Sequence, residues 1–163
     1  MKKTQGITLI ELTIVMAIAG FLIVGIIKLM KSSSDIWRSS VNNVNIQQQG
    51  RTAVEDMTRF IRQASAPDTS ITPLIGVASS KITFTFMQDT ATFKSMSYYL
   101  SGDSIYRVFD GSTQTLVDGG VSRIYFNHVS SYVVRIETFT LTSGSGRTRQ
   151  SLTVNRTIHI RNQ

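Results

Sequence analysis

Between Ile7 and Ile27 the chain runs for 21 residues without Lys, Arg, Pro or Asp, and its one charge is Glu11. As a helix rising ~1.5 Å per residue this run would span roughly 31 Å, close to the ~30 Å hydrocarbon core of a bilayer. It is apolar on every side, which argues against a helix resting on a soluble core. It is too long for the apolar part of a secretory signal, and no small-residue cleavage site closes it. A membrane-inserted helix is therefore expected. Lys2 and Lys3 precede it and favour a cytoplasmic N-terminus. Lys28 and Lys31 follow it, where their long side chains can reach the outer interface.

Glu11 is the exception that has to be explained. A carboxylate deep in a bilayer costs on the order of 2.5–3.5 kcal/mol even on lenient insertion scales. Either Glu11 lies near the membrane edge, or a positive charge neutralises it. That charge would come from another copy or from a new amino terminus. Cleavage after Gly6 would create an amine at Ile7, four residues before Glu11. In a helix the two groups would sit about one turn apart.

The stretch Lys2-Lys3-Thr4-Gln5-Gly6, followed by Ile7-Thr8-Leu9-Ile10-Glu11-Leu12 and the apolar run, resembles the N-terminal signature of type IV prepilins and pseudopilins. The resemblance implies that residues 1–6 are a leader peptide and that Gly6 is its last residue. It implies that Ile7 is the N-methylated mature N-terminus and that Glu11 pairs with the terminal amine of an adjacent subunit. Family members usually begin the mature chain with Phe, where this chain has Ile7. The run from Gln47 to Ala64 is similar to the end of the long helix in the branch of J-type pseudopilins and W-type minor pilins.

Composition bounds the remainder. The 163 residues leave room for one membrane helix and one globular domain of roughly 100 residues. There are no cysteines, so neither a disulfide nor thiol chemistry is available. From Ile26 to Ala66 there is no Pro and one Gly, Gly50. Trp37, Val41, Val44, Val54, Met57, Ile61 and Ala64 recur at helical steps, with Gln48 and Arg51 interrupting them. The simplest reading is one helix from about Thr8 to about Ala64, closed before Pro67. Ser32-Ser33-Ser34-Asp35 is a candidate break, since Ser and Asp favour caps. Arg51, Glu55, Arg59 and Arg62 should face solvent, with Glu55 and Arg59 as an i,i+4 pair.

After Pro67 the period becomes two. Ile82, Phe84 and Phe86 alternate with Thr83 and Thr85. Residues 93–100, 104–109, 121–129, 132–142 and 151–161 read as further strands. Ser101-Gly102-Asp103, Asp110-Gly111-Ser112 and Asp118-Gly119-Gly120 are turn signals. Ser143-Gly144-Ser145-Gly146 reads as a flexible loop. The expected fold class is α+β: a long helix whose second half packs on an antiparallel meander. Pilin resemblance implies the same order. The expected organisation is a leader at 1–6, a transmembrane or filament-core helix at 7–30, an amphipathic half at 31–66 and a sheet domain at 67–163. Arg156 falls on the apolar face of the last strand with Leu152, Val154, Ile158 and Ile160. It either pairs with an acid such as Glu137 or keeps its head in water at an edge.

No catalytic constellation stands in the sequence. His128 and His159 lie in separate strands without metal-ligand spacing. Asp103, Asp110 and Asp118 sit in turns for backbone reasons. No cofactor or metal is expected, and the chain reads as a structural subunit rather than an enzyme. The net charge of +7 comes from scattered Lys and Arg, without a basic stripe interleaved with aromatics, so nucleic acid is not an expected partner. The resemblance implies other partners: a prepilin peptidase and methyltransferase, other pilins or pseudopilins, the inner-membrane assembly platform, and lipid before assembly. It places the chain in a bacterial inner membrane with a periplasmic C-terminal domain, then in a pilus or pseudopilus. The competing reading is a single-pass anchored domain for binding or sensing that never polymerises.

Overall fold

The computed structural model describes residues 8–65, 71–89 and 92–161. One helix, α1 (Leu9–Ile61), accounts for 53 of them. At ~1.5 Å per residue it is about 80 Å long. Thr8 caps its start in an extended conformation, and Arg62 closes its end. The Ser32–Asp35 stretch does not break it. Serines in mid-helix cost little when water takes their hydroxyls, and Ser32, Ser33 and Ser34 are exposed.

Among the described residues nine strands follow. β1 (Ile71–Thr72), β3 (Lys81–Asp89), β4 (Thr92–Ser101), β5 (Ser104–Phe109) and β6 (Ser112–Val117) form one antiparallel sheet in the order β1-β3-β4-β5-β6. β2 (Ala78–Ser79), β7 (Val121–Ser130), β8 (Val133–Ser143) and β9 (Gln150–His159) form a second, ordered β2-β7-β8-β9. The expected single meander is thus two sheets. The division falls at Asp118-Gly119-Gly120, where both glycines take positive φ and lead the chain from β6 into β7. Asp110 and Gly111 both take positive φ as well and close the β5–β6 hairpin tightly.

The helix and the inner faces of both sheets share one core. Ile46, Ala53, Val54, Met57, Ile61 and Ala64 meet Phe84, Tyr98 and Ile105 of the first sheet and Phe126, Ile136 and Phe139 of the second in a single buried cluster. Three of the seven residues of the expected stripe lie outside this core. Trp37, Val41 and Val44 are exposed, and the buried face of α1 starts instead at Ile46 and passes through Gly50 and Ala53. Small residues are needed there because β9 comes close. A Cβ at Gly50 would lie 2.8 Å from Leu152 Cδ2.

Two further expectations are corrected, and a third is decided between its alternatives. Glu55 pairs with Arg51 rather than Arg59, at 2.8 Å, while the Arg59 guanidinium lies 4.6 Å from the Phe60 ring centre. Residues 143–146 are not a free loop. Gly146–Thr148 form a 3-10 turn, Gly144 approaches Asn42 of the helix, and Gln150 Nε2 donates to Ser39 Oγ at 2.8 Å. Arg156 is exposed, the wet alternative, and Glu137 instead accepts from Asn127 Nδ2 at 2.6 Å.

Candidate functional site: the apolar half of the helix and its capped start

Residues from Leu9 to Met30 form a helical surface that none of the other described residues covers. Leu9, Phe21, Leu22, Ile27 and Leu29 are all exposed. This is the one described helix long and apolar enough to cross a membrane. Every backbone donor and acceptor in its middle is satisfied within the helix, which is what lipid requires of a spanning segment. Gly20 and Gly25 have open space around them. They leave shallow places on the surface where another helix can approach closely.

The start of this helix is built around Thr8 and Glu11. Thr8 Oγ1 accepts the Glu11 backbone N–H at 3.3 Å. The Thr8-x-x-Glu11 spacing is that of a capping box, and this bond is one half of it. Glu11 is also the acid in the first turn, where the helix dipole favours negative charge. Its side chain is exposed. The carboxylate therefore stands at the capped end of an apolar rod. Of the residues expected to act with it, Lys2, Lys3, Gly6 and Ile7 lie outside the described residues. The helix proper begins at Leu9, so the one-turn spacing expected between Ile7 and Glu11 rests partly on residues outside the description.

The other candidate groups are placed by the fold. His128 is buried, with Nδ1 3.2 Å from the Pro73 carbonyl oxygen. His159 is exposed on the opposite side of its strand from Ile158 and Ile160. Asp110 takes Lys94 Nζ at 2.8 Å. Asp103 accepts from Ser104 Oγ at 3.3 Å. Among the described residues no three His, Asp or Glu side chains gather as a metal site would need.

Two groupings escaped the sequence. The first fastens the buried half of α1 to the first sheet. Asp56 accepts from Tyr98 Oη and Arg107 Nη1, each at 2.9 Å, and Arg107 Nη2 donates to Gln114 Oε1. Burial, reinforced by the Asp56 charge, pushes the Tyr98 hydroxyl well above its ordinary range. The second brings Arg59 and Arg62 at the helix end beside Arg156 of β9 and Arg161 just past that strand, around one cleft. Neither set is contiguous in sequence, so pairing of the strands is what creates both.

Residues 1–27 match the family model for the prokaryotic N-terminal methylation motif. No curated protein and no solved structure matched the chain. A methylation motif leading into an exposed apolar helix supports the type IV pilin and pseudopilin superfamily, processing by a prepilin peptidase, and a transmembrane helix. Proteins bearing this motif in that superfamily are structural subunits. The architecture agrees: one long N-terminal helix packed on antiparallel sheets, an α+β pilin-like arrangement.

Proposed function

We propose that this chain is a minor pilin or pseudopilin, made as a prepilin and built into, or priming, a type IV pilus or type II secretion-like filament. The observation that carries the reading is the uncovered apolar half of α1 with Glu11 at its capped start, inside the matched motif. Residues 1–6 are the leader, with Lys2 and Lys3 holding it on the cytoplasmic side. A prepilin peptidase cleaves after Gly6, and the new amine at Ile7 is methylated. Residues 7–30 then span the inner membrane, with residues 31–66 and the sheet domain, 67–163, in the periplasm.

On assembly the helix leaves lipid and packs against the same segment of its neighbours. Glu11 pairs with the terminal amine of an adjacent subunit and sets the register. The pair lies in a dry environment, so leaving either charge alone costs far more than keeping the two together. A minor subunit of the J-type or W-type kind is favoured by the likeness of residues 47–64 to that branch.

Glu11→Ala tests the assignment in the native host. Membrane insertion should persist, since removing an acid eases insertion, while incorporation into the sheared or cross-linked filament fraction should be lost. Equal incorporation of the variant would remove Glu11 from the assembly step. A parent chain that never leaves the membrane fraction would favour the non-polymerising anchored domain.

A further inference from the structure

A groove runs along the seam between α1 and β9, and its two ends differ. Towards the helix C-terminus it is a cleft of about 360 Å³ lined by Arg59, Arg62, Arg156 and Arg161, with Glu55 also in its wall. Towards Gln47 it continues as an adjoining cavity of about 510 Å³ whose walls include Val54, Leu152 and Val154. Glu55 and Arg156 line both parts, so the groove is continuous. Four guanidinium groups around one opening, with a single acid already bonded to Arg51, leave a strong positive potential there. β9 is also the terminal strand of its sheet. One edge of its backbone has no strand partner among the described residues. Such an edge is a template for an added extended segment unless something blocks it.

We propose that this groove binds an extended acidic peptide segment of a neighbouring subunit. Carboxylates would lie on the arginine cleft and an apolar side chain on the Val54–Leu152–Val154 wall. Guanidinium forks match carboxylates bidentately, and strand addition beside β9 would supply main-chain bonds while the pockets supply selectivity. A nucleic acid fits less well. Glu55, which lines both parts of the groove, would repel its phosphates, and the Val54, Leu152 and Val154 side chains between them offer no donors. The source of the peptide rests on the filament reading above; the chemistry of the groove does not.

The test uses the full chain in detergent micelles, with empty micelles as background. The probe is a rhodamine-labelled six-residue peptide of alternating Glu and Val, followed by fluorescence anisotropy. Saturable binding is expected, weakened at least about tenfold by Arg156→Glu or Arg62→Glu. Arg149→Glu, on an exposed arginine outside the groove, should leave it unchanged. Arg156→Gln serves as the milder variant, and each variant should melt with the parent. Three results would overturn the proposal: equal binding by the peptide with Gln for Glu, equal loss in Arg149→Glu, or displacement by a single-stranded oligonucleotide at lower concentration than by unlabelled peptide. Peptide binding by a chain that is never processed in its host would sink the filament reading and leave the groove standing. Processing and incorporation without peptide binding would do the reverse.

Discussion

The two halves of α1 are one helix by backbone and two different objects by surroundings. From Leu9 to about Asn45 its large apolar side chains stay exposed among the described residues: Leu22 is 62% exposed and Trp37 is 72% exposed. From Ile46 onward one face of the helix belongs to the buried core, with Met57 and Ile61 fully buried. Helical hydrogen bonding alone holds an isolated helix only marginally in water. The second half is stabilised by packing inside the monomer. The first half must be stabilised by something outside it, either lipid or other helices. The contrast shows that the fold of the domain uses only the second stretch of the element; under the proposed function the first stretch serves assembly.

Core truncations should separate the halves most sharply. Met57→Ala should destabilise the sheet domain by about 2–5 kcal/mol, the usual cost of emptying a buried site. Leu22→Ala should leave the same thermal or denaturant transition unmoved in detergent. An equal loss from both would mean that the two halves unfold as one unit.

Filling the close contact comes next. Gly50→Leu places a side chain where Leu152 already lies, and overpacking of this kind costs about 1–3 kcal/mol. Gly25→Leu, at a site with open space, should cost the domain nothing by the same melt.

The polar fastening of the buried half is the third lever. Asp56→Ala leaves Tyr98 and Arg107 without their shared acceptor and should cost about 1–3 kcal/mol. The same network predicts a pH dependence. Tyr98 holds its proton more tightly folded than unfolded. Above its ordinary pKa of 10.0 the unfolded chain loses that proton first, so the folded state binds more protons and stability falls as pH rises. Tyr98→Phe should be less stable at neutral pH and should decline less steeply above pH 10. A parallel decline in both proteins would show that Tyr98 does not set it.

The smallest effect belongs to the helix surface. Arg51 is fully solvent-exposed, and its bond to Glu55 raises its pKa. Exposed pairs of this kind are screened by salt, so Arg51→Ala should shift the domain melt by no measurable amount. A clear loss would mean that the groove side of the helix carries structural load.

What could be read from the chain before folding follows the same division. The Ile7–Ile27 run was legible because length and missing charges are properties of contiguous residues. β5 was legible because Ser104–Phe109 is a short run rich in β-branched and aromatic residues between two clear turns. β6 was not, since Ser112–Thr115 is a polar run with all four residues exposed at a sheet edge. The apolar spacing of Trp37, Val41 and Val44 was real, but periodicity does not say what a face packs against. Gly50 and Ala53 were passed over because a close approach selects small residues rather than hydrophobic ones. The Asp56 network and the arginine cleft depend on residues far apart in the chain and had no local signal. At the capped start of α1, the sequence pointed to Glu11 through its cost in a membrane, and the fold added its place in the capping turn.

The central claim is that the first half of α1 is matured and then used between subunits. The intact mass and N-terminal sequence of the protein, purified from membranes of its native host, test it most directly. The account predicts a chain beginning at Ile7, carrying one added methyl group on its amine. A chain that keeps residues 1–6 in functional cells would contradict it, because the amine that Glu11 is meant to meet would not exist.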